Sequence, residues 1–179
     1  EGADLEKAME TKEDRWWRSG EFEQELYRAH LDSLILFYND QGYLDAEIVS
    51  DSFWIDENQK DLYISVRLSE GKKYFTGDFF FSGNTIIDKE RLEKQIALKR
   101  GKPFEATRFE QTRYFIGNLY REEGYLWVQV NDQREYRGPQ EDTIDVTFVI
   151  TEGVAAVVRK VEISGNNKTR DKVIRRELL

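Results

Sequence analysis

The chain repeats itself. Displacing the sequence by 82 positions lays Phe22 on Phe104, Tyr38 on Tyr120, Gly42-Tyr43-Leu44 on Gly124-Tyr125-Leu126, Glu70-Gly71 on Glu152-Gly153, and Ser82-Gly83-Asn84 on Ser164-Gly165-Asn166 without a gap. A fixed period of this size means one supersecondary unit used more than once. The fold must therefore be one that a single period can build and that can follow itself along the chain.

The residues between these anchors say what the unit contains. Leu62, Ile64, Val66 and Leu68 fall on Ile144, Val146, Phe148 and Ile150, and both sets alternate with polar residues. Period 2 marks a strand with one buried face. Tyr27, Leu34 and Tyr38 fall on Phe109, Ile116 and Tyr120. Spacings of seven and four keep these on one side of a helix.

The second copy can be read in order. Tyr74–Ser82 is a strand and Gly83-Asn84 a turn. A short helix runs over about Asp88–Leu98, with Asp88 as N-cap and Lys99-Arg100-Gly101 at its end. A longer helix runs over about Glu105–Glu122 and stops at Gly124. Tyr125–Tyr136 is a second strand, Gly138-Pro139 a turn, and Thr143–Thr151 a third strand. The order is β-α-α-β-β. The fold class is α+β, with a three-stranded mixed sheet covered on one face by two helices. The most economical sheet has the third strand in the centre and the other two as edges.

The copies are unequal. Residues 1–72 read as a unit lacking its first strand, with a first helix at Ala3–Thr11. Residues 73–153 are complete. Residues 154–179 supply only a first strand, Val157–Ser164, and a first helix from about Thr169 to Leu179. The connection after Glu152-Gly153 is short, so limited hinge motion is expected between units. The incomplete ends also suggest that Val157–Ser164 pairs with an open sheet edge of a neighbouring molecule.

Composition removes several function classes. A net charge of −8 is the wrong sign for nucleic acid or for an anionic lipid surface. With no cysteine there is no disulfide, thiolate metal site or cysteine nucleophile. No apolar run approaches the roughly 20 residues of a membrane helix. His30, the one histidine, lies in an amphipathic helix without a Ser/His/Asp pattern and reads as structural. Asp56-Glu57-Asn58 lacks the spacing of a calcium loop and reads as a turn. Ser82-Gly83-Asn84 lacks the frame of a phosphate loop and serves a turn with φ > 0. No catalytic residue, cofactor or metal is expected, and an acidic hydrolase is the weakest of the readings considered.

At this point the chain resembles a known family. The β-α-α-β-β period, the helix ends Phe37-Tyr38…Gly42-Tyr43 and Leu119-Tyr120…Gly124-Tyr125, the Trp16-Trp17 pair, and the closing Val161-Glu162-Ile163-Ser164-Gly165-Asn166 and Thr169–Leu178 segments look like tandem POTRA domains. They are most similar to those of the BamA family of outer-membrane protein assembly factors, matching a third unit in part, a fourth, and the start of a fifth. The resemblance implies a periplasmic arm before a C-terminal transmembrane β-barrel not in this chain. It also implies partners: unfolded outer-membrane proteins and accessory assembly lipoproteins. A POTRA scaffold of a two-partner secretion transporter or of a division protein is the alternative.

Edge strands are where such a unit can bind. Their unpaired N–H and C=O groups accept an extended peptide with little regard to its sequence. The second strands, Leu44–Trp54 and Leu126–Tyr136, are the candidates. The site residues are Leu44, Ala46 and Ile48 in the first copy, and Leu126, Val128, Val130 and Asp132 in the second. Charges such as Asp45, Glu47 and Asp51 could instead simply protect an ordinary edge. Trp16 and Trp17 either close the first core or contact a partner, and they enter as candidate partner-binding residues.

Overall fold

A computed structural model describes residues 24–55, 62–165, 168 and 170–176. The elements are α1 (Gln24–Asp40), β1 (Glu47–Ile55), β2 (Leu62–Ser69), β3 (Phe75–Ser82), α2 (Lys89–Glu93), α3 (Ala106–Glu122), β4 (Gln129–Arg137), β5 (Thr143–Thr151) and α4 (Asp171–Arg176). The expected helix at Ala3–Thr11, the Trp16-Trp17 pair and the Asp56-Glu57-Asn58 turn lie outside the described residues.

The second copy forms a three-stranded sheet of order β3-β5-β4. β5 is central, parallel to β3 and antiparallel to β4. Along it, Ile144, Val146, Phe148 and Ile150 are buried in strict alternation. Phe109, Ile116 and Tyr120 of α3 and Leu92 of α2 pack on this face. Phe148 stacks at 5.8 Å on Phe109 and at 5.7 Å on Phe81. Full burial of such side chains contributes roughly 1.5–3 kcal/mol each, so one ring stack ties the helix to two strands. In the first copy, β1 and β2 form an antiparallel pair, and Tyr27 and Leu34 of α1 are the buried counterparts of Phe109 and Ile116.

The recurring Tyr…Gly-Tyr motif is a helix terminator. Gly124 has φ +90, its N–H donates to the Arg121 carbonyl, and the Tyr125 N–H reaches back to the Tyr120 carbonyl. This pair of bonds is the Schellman motif, which needs a residue tolerant of left-handed backbone at its turn. Gly42 repeats it, with the Tyr43 N–H on the Tyr38 carbonyl. The rings meet edge to face in both copies, Tyr38 with Tyr43 at 6.1 Å and Tyr120 with Tyr125 at 6.4 Å.

Three expected boundaries are corrected. The short helix starts as expected, since Asp88 accepts from the Arg91 N–H, but it ends at Glu93. Gly101 is not its terminator: with φ +71, its N–H donates to the Thr76 carbonyl and lays residues 101–103 beside β3. The second strands begin at Glu47 and Gln129, not at Leu44 and Tyr125. The Schellman turn and the bond from the Val128 N–H to the Tyr125 carbonyl hold the intervening residues in a turn. Residues 157–164 are not a strand, because no neighbouring strand among the described residues offers them a ladder. The last helix is described over Asp171–Arg176.

The joint between the copies is built from named groups. Gly42 presents its carbonyl to the Tyr74 N–H at 2.8 Å, and Gly124 presents its own to the Ala156 N–H at the same distance. Tyr74 and Ala156 are themselves 82 positions apart, so the joint recurs with the unit. At the first joint, Asp40 accepts from both the Thr107 N–H at 2.7 Å and the Thr107 hydroxyl at 2.8 Å. The residue at α3's own N-cap, Glu105, makes no side-chain capping bond. The cap of α3 thus comes from the preceding unit.

Candidate peptide-binding edge

The sheet has two outer edges, and one of them is partly covered. β3 is covered over its first half: the Thr76 N–H donates to the Lys102 carbonyl, and Phe75 bridges Pro103. Among the described residues no strand lies beyond β4.

Which groups β4 presents follows from alternation along β5. The Asp142 carbonyl accepts from the Phe75 N–H. A Cβ built on Gly77 or Gly83 would strike the Ile144 or Ile150 carbonyl oxygen. Even-numbered residues of β5 therefore direct their backbone groups at β3, and odd-numbered ones at β4. The β4–β5 register pairs Asn131 with Val149 and Gln133 with Thr147 without a shift. In an antiparallel ladder the residues between bonded pairs point outward. Val130, Asp132, Arg134 and Tyr136 therefore carry the outward N–H and C=O groups.

Their side chains turn toward the helices. Val130 packs on the core. Arg134 lays its guanidinium 4.7 Å from the Phe109 ring centre and holds Asp132 at 2.9 Å. Tyr136 meets the Tyr74 ring at 5.7 Å. Between α3 and the start of β4 runs an open groove of about 280 Å³, lined by Glu110, Arg113, Tyr114, Gly117 and Arg121 with Val128 and Val130. Gly117 shapes it, because a Cβ there would come 3.3 Å from the Arg121 guanidinium. Within the groove Arg113 bonds Glu110 at 3.1 Å and donates to the Val130 carbonyl at 3.2 Å.

The candidate residues from the sequence divide accordingly. Val130 and Asp132 lie on the edge with outward backbone groups. Leu126 and Val128 precede the strand, as Leu44 and Ala46 precede β1. Ile48 lies in β1, opposite Leu68. Arg134 and Tyr136 were missed, although the period-2 pattern leads straight to them. Arg113 comes from another element, and no local signal marks it.

Away from the edge, carboxylates fasten the loops. Glu152 accepts from the Thr85 and Ile86 N–H groups at 2.7 and 2.8 Å, and from the Thr85 hydroxyl. Burial alone would raise its carboxyl, but these donors hold it below the usual carboxylate range. Asp45 accepts from the Tyr74 hydroxyl at 2.7 Å, and this bond, with burial, pushes that phenol up to about 12. Tyr27, bonded to Asp51 at 3.0 Å, is pushed up to about 12 by burial and then by that bond. His30 lies half-buried in α1.

A three-stranded mixed sheet with two helices on one face is the fold of POTRA domains in a solved BamA structure. The POTRA family model, described as a surface antigen variable number repeat, matches residues 74–153, and that segment is a POTRA domain. The chain is similar to curated BamA proteins. The chain is 29% identical over 162 residues to the outer membrane protein assembly factor BamA of Neisseria meningitidis serogroup B, covering 90% of this chain and 20% of that one. It is 29% identical over 164 residues to BamA of Nitratidesulfovibrio vulgaris, covering 89% and 20%. In fold it matches a crystal structure of Haemophilus influenzae BamA POTRA3-5 with TM-score 0.74 and 22% identity, over 99% of this chain and 70% of that one. The chain thus spans about a fifth of the length of the curated relatives it matches. POTRA domains of BamA are the periplasmic portion of an outer-membrane protein, and no helix among the described residues is long and apolar enough to cross a membrane.

Proposed function

We propose that this chain is part of the periplasmic POTRA arm of an outer-membrane protein assembly factor, and that it takes hold of unfolded outer-membrane proteins by adding an extended segment to the edge of β4. The arm comprises the latter part of one unit (residues 1–72), one complete unit (73–153) and the opening of a third (154–179). The observation that carries the reading is the row of outward backbone groups at Val130, Asp132, Arg134 and Tyr136, in a sheet whose other edge is partly covered. Backbone pairing recognises a strand rather than a sequence, which suits a receptor for many clients. Client contact is non-covalent, and the unit works as a binding surface rather than an enzyme. Accessory assembly lipoproteins are the second class of partner, with Trp16 and Trp17 as proposed contacts. β1 would offer the first unit's counterpart edge around Ile48.

Photocrosslinkers placed in turn along Gln129–Arg137, with an unfolded porin as client, test the reading. Adducts should concentrate on β4 and be scarce at Glu90, exposed on α2. Equal labelling at both places would overturn it.

A further inference from the structure

We infer that Arg113 is a guard on the β4 edge, occupying the first outward carbonyl and giving it up when an extended client pairs there. The inference rests on the edge reading above and adds a residue that controls it. Exposed edges invite unwanted pairing, and folded proteins blunt them with charges placed along the strand. Here the blunting group comes from the helix. The Arg113 guanidinium donates to the Val130 carbonyl at 3.2 Å, and Val130 is the outward position nearest the start of β4.

The side chain is held for this post but not locked in it. One end of the guanidinium is steadied by both Glu110 carboxylate oxygens, at 3.1 and 3.2 Å. Its Nε is buried with no hydrogen-bond partner. A buried donor left unsatisfied is costly, so the resting arrangement is one that Arg113 can leave at little loss. Its side chain is 34% exposed and flanks an open groove, so it has room to swing away while keeping Glu110. The outward groups of Asp132, Arg134 and Tyr136 have no such cover from α3. A client strand can therefore pair at the far end of β4 first and extend to Val130 only by displacing Arg113. The repeat shows that the fold does not demand this residue. The position 82 earlier is Leu31, and the counterpart of Val130 is Ile48, so the first unit's edge is built without an arginine guard.

The test compares the protein with its Arg113→Leu and Arg113→Lys variants, using a synthetic ten-residue peptide of alternating apolar and polar residues. Binding is followed by backbone amide shifts and by titration. Removal of one competing hydrogen bond should tighten binding about 3- to 10-fold in Arg113→Leu and extend the shifted amides to Val130. Arg113→Lys should fall between the two. Thermal melting of each variant shows whether the unit is intact, and Leu31 at the equivalent helical position indicates that leucine is tolerated. Peptide bound along β4 with equal affinity in all three proteins overturns the guard and leaves the edge reading standing. No shift on β4 in any of them overturns both. A wild-type protein that fails to bind beside an Arg113→Leu variant that binds supports the guard in its strongest form.

Discussion

Glu152 shows how a repeated residue can be structural. In sequence, Glu-Gly is a weak pair. In the folded unit the carboxylate clasps the Thr85-Ile86 loop to the end of β5, and Gly153 with φ +72 lets the chain leave the strand. The clasp has a definite pH dependence. Its carboxyl is held below the ordinary range in the folded state, so its contribution is complete above the unfolded value of about 4.3 and is lost as pH falls through the folded value. Glu152→Gln should cost about 1 kcal/mol at pH 7, below the usual range for hydrogen bonds to charged groups because the site is solvent-accessible. The loss should shrink as the pH is lowered through 4. Urea titrations at pH 7 and at pH 3.5 give both numbers, and an equal loss at the two would show that charge plays no part.

At the level of the element, α3 carries most of the unit. The sequence reading had its buried stripe of Phe109, Ile116 and Tyr120 because 3.6-residue periodicity is local information. It likewise placed β5 in the centre, since a hairpin with β4 and a helical crossover from β3 are most economically met there. It missed the start of β4 because Leu126, Trp127 and Val128 look like strand residues. Instead the Leu126 N–H bonds the Gly124 carbonyl and the Val128 N–H the Tyr125 carbonyl, which holds them in a turn, and Leu126 and Trp127 are exposed. It also missed the early end of α2, where the Ala97 N–H bonds the Thr112 hydroxyl of α3 and draws residues 94–98 out of the helix. Both misses arise from contacts between elements, which periodicity does not report. Gly117 provides a test at this scale. Glycine inside a helix costs about 0.5–1 kcal/mol relative to alanine, and an added Cβ meets only the movable end of Arg121. Gly117→Ala should therefore stabilise the unit by up to about 1 kcal/mol in thermal melts, and a destabilised variant would show that the groove tolerates no methyl group.

Across the whole molecule, the period sets the joint as well as the unit. The Gly42 and Gly124 carbonyls hold Tyr74 and Ala156 identically, so successive units attach through the same terminator that ends each long helix. Asp40 adds the second fastening. A carboxylate at a helix C-terminus is unfavourably placed toward its own dipole, but here it faces the positive N-terminus of α3. Asp40→Ala should remove a helix cap, costing about 1 kcal/mol, and should also free one unit to turn against the other. Residual dipolar couplings measured on both units should fit one shared alignment in the unmodified protein and two in the variant. One shared alignment in both would mean that the backbone bond at Gly42 suffices.

On the proposed reading β4 offers four outward residues to a client strand, and amide hydrogen exchange reads those residues one at a time. In the free protein, the N–H groups of Val130, Asp132, Arg134 and Tyr136 should exchange fast, while those of Asn131, Gln133 and Glu135, directed at β5, are protected. With an unfolded porin segment bound, protection should appear at the even-numbered amides in the same alternating pattern. If those amides are already protected in the free protein, or stay unprotected while protection develops on α2 or α3, the edge is not where the client binds.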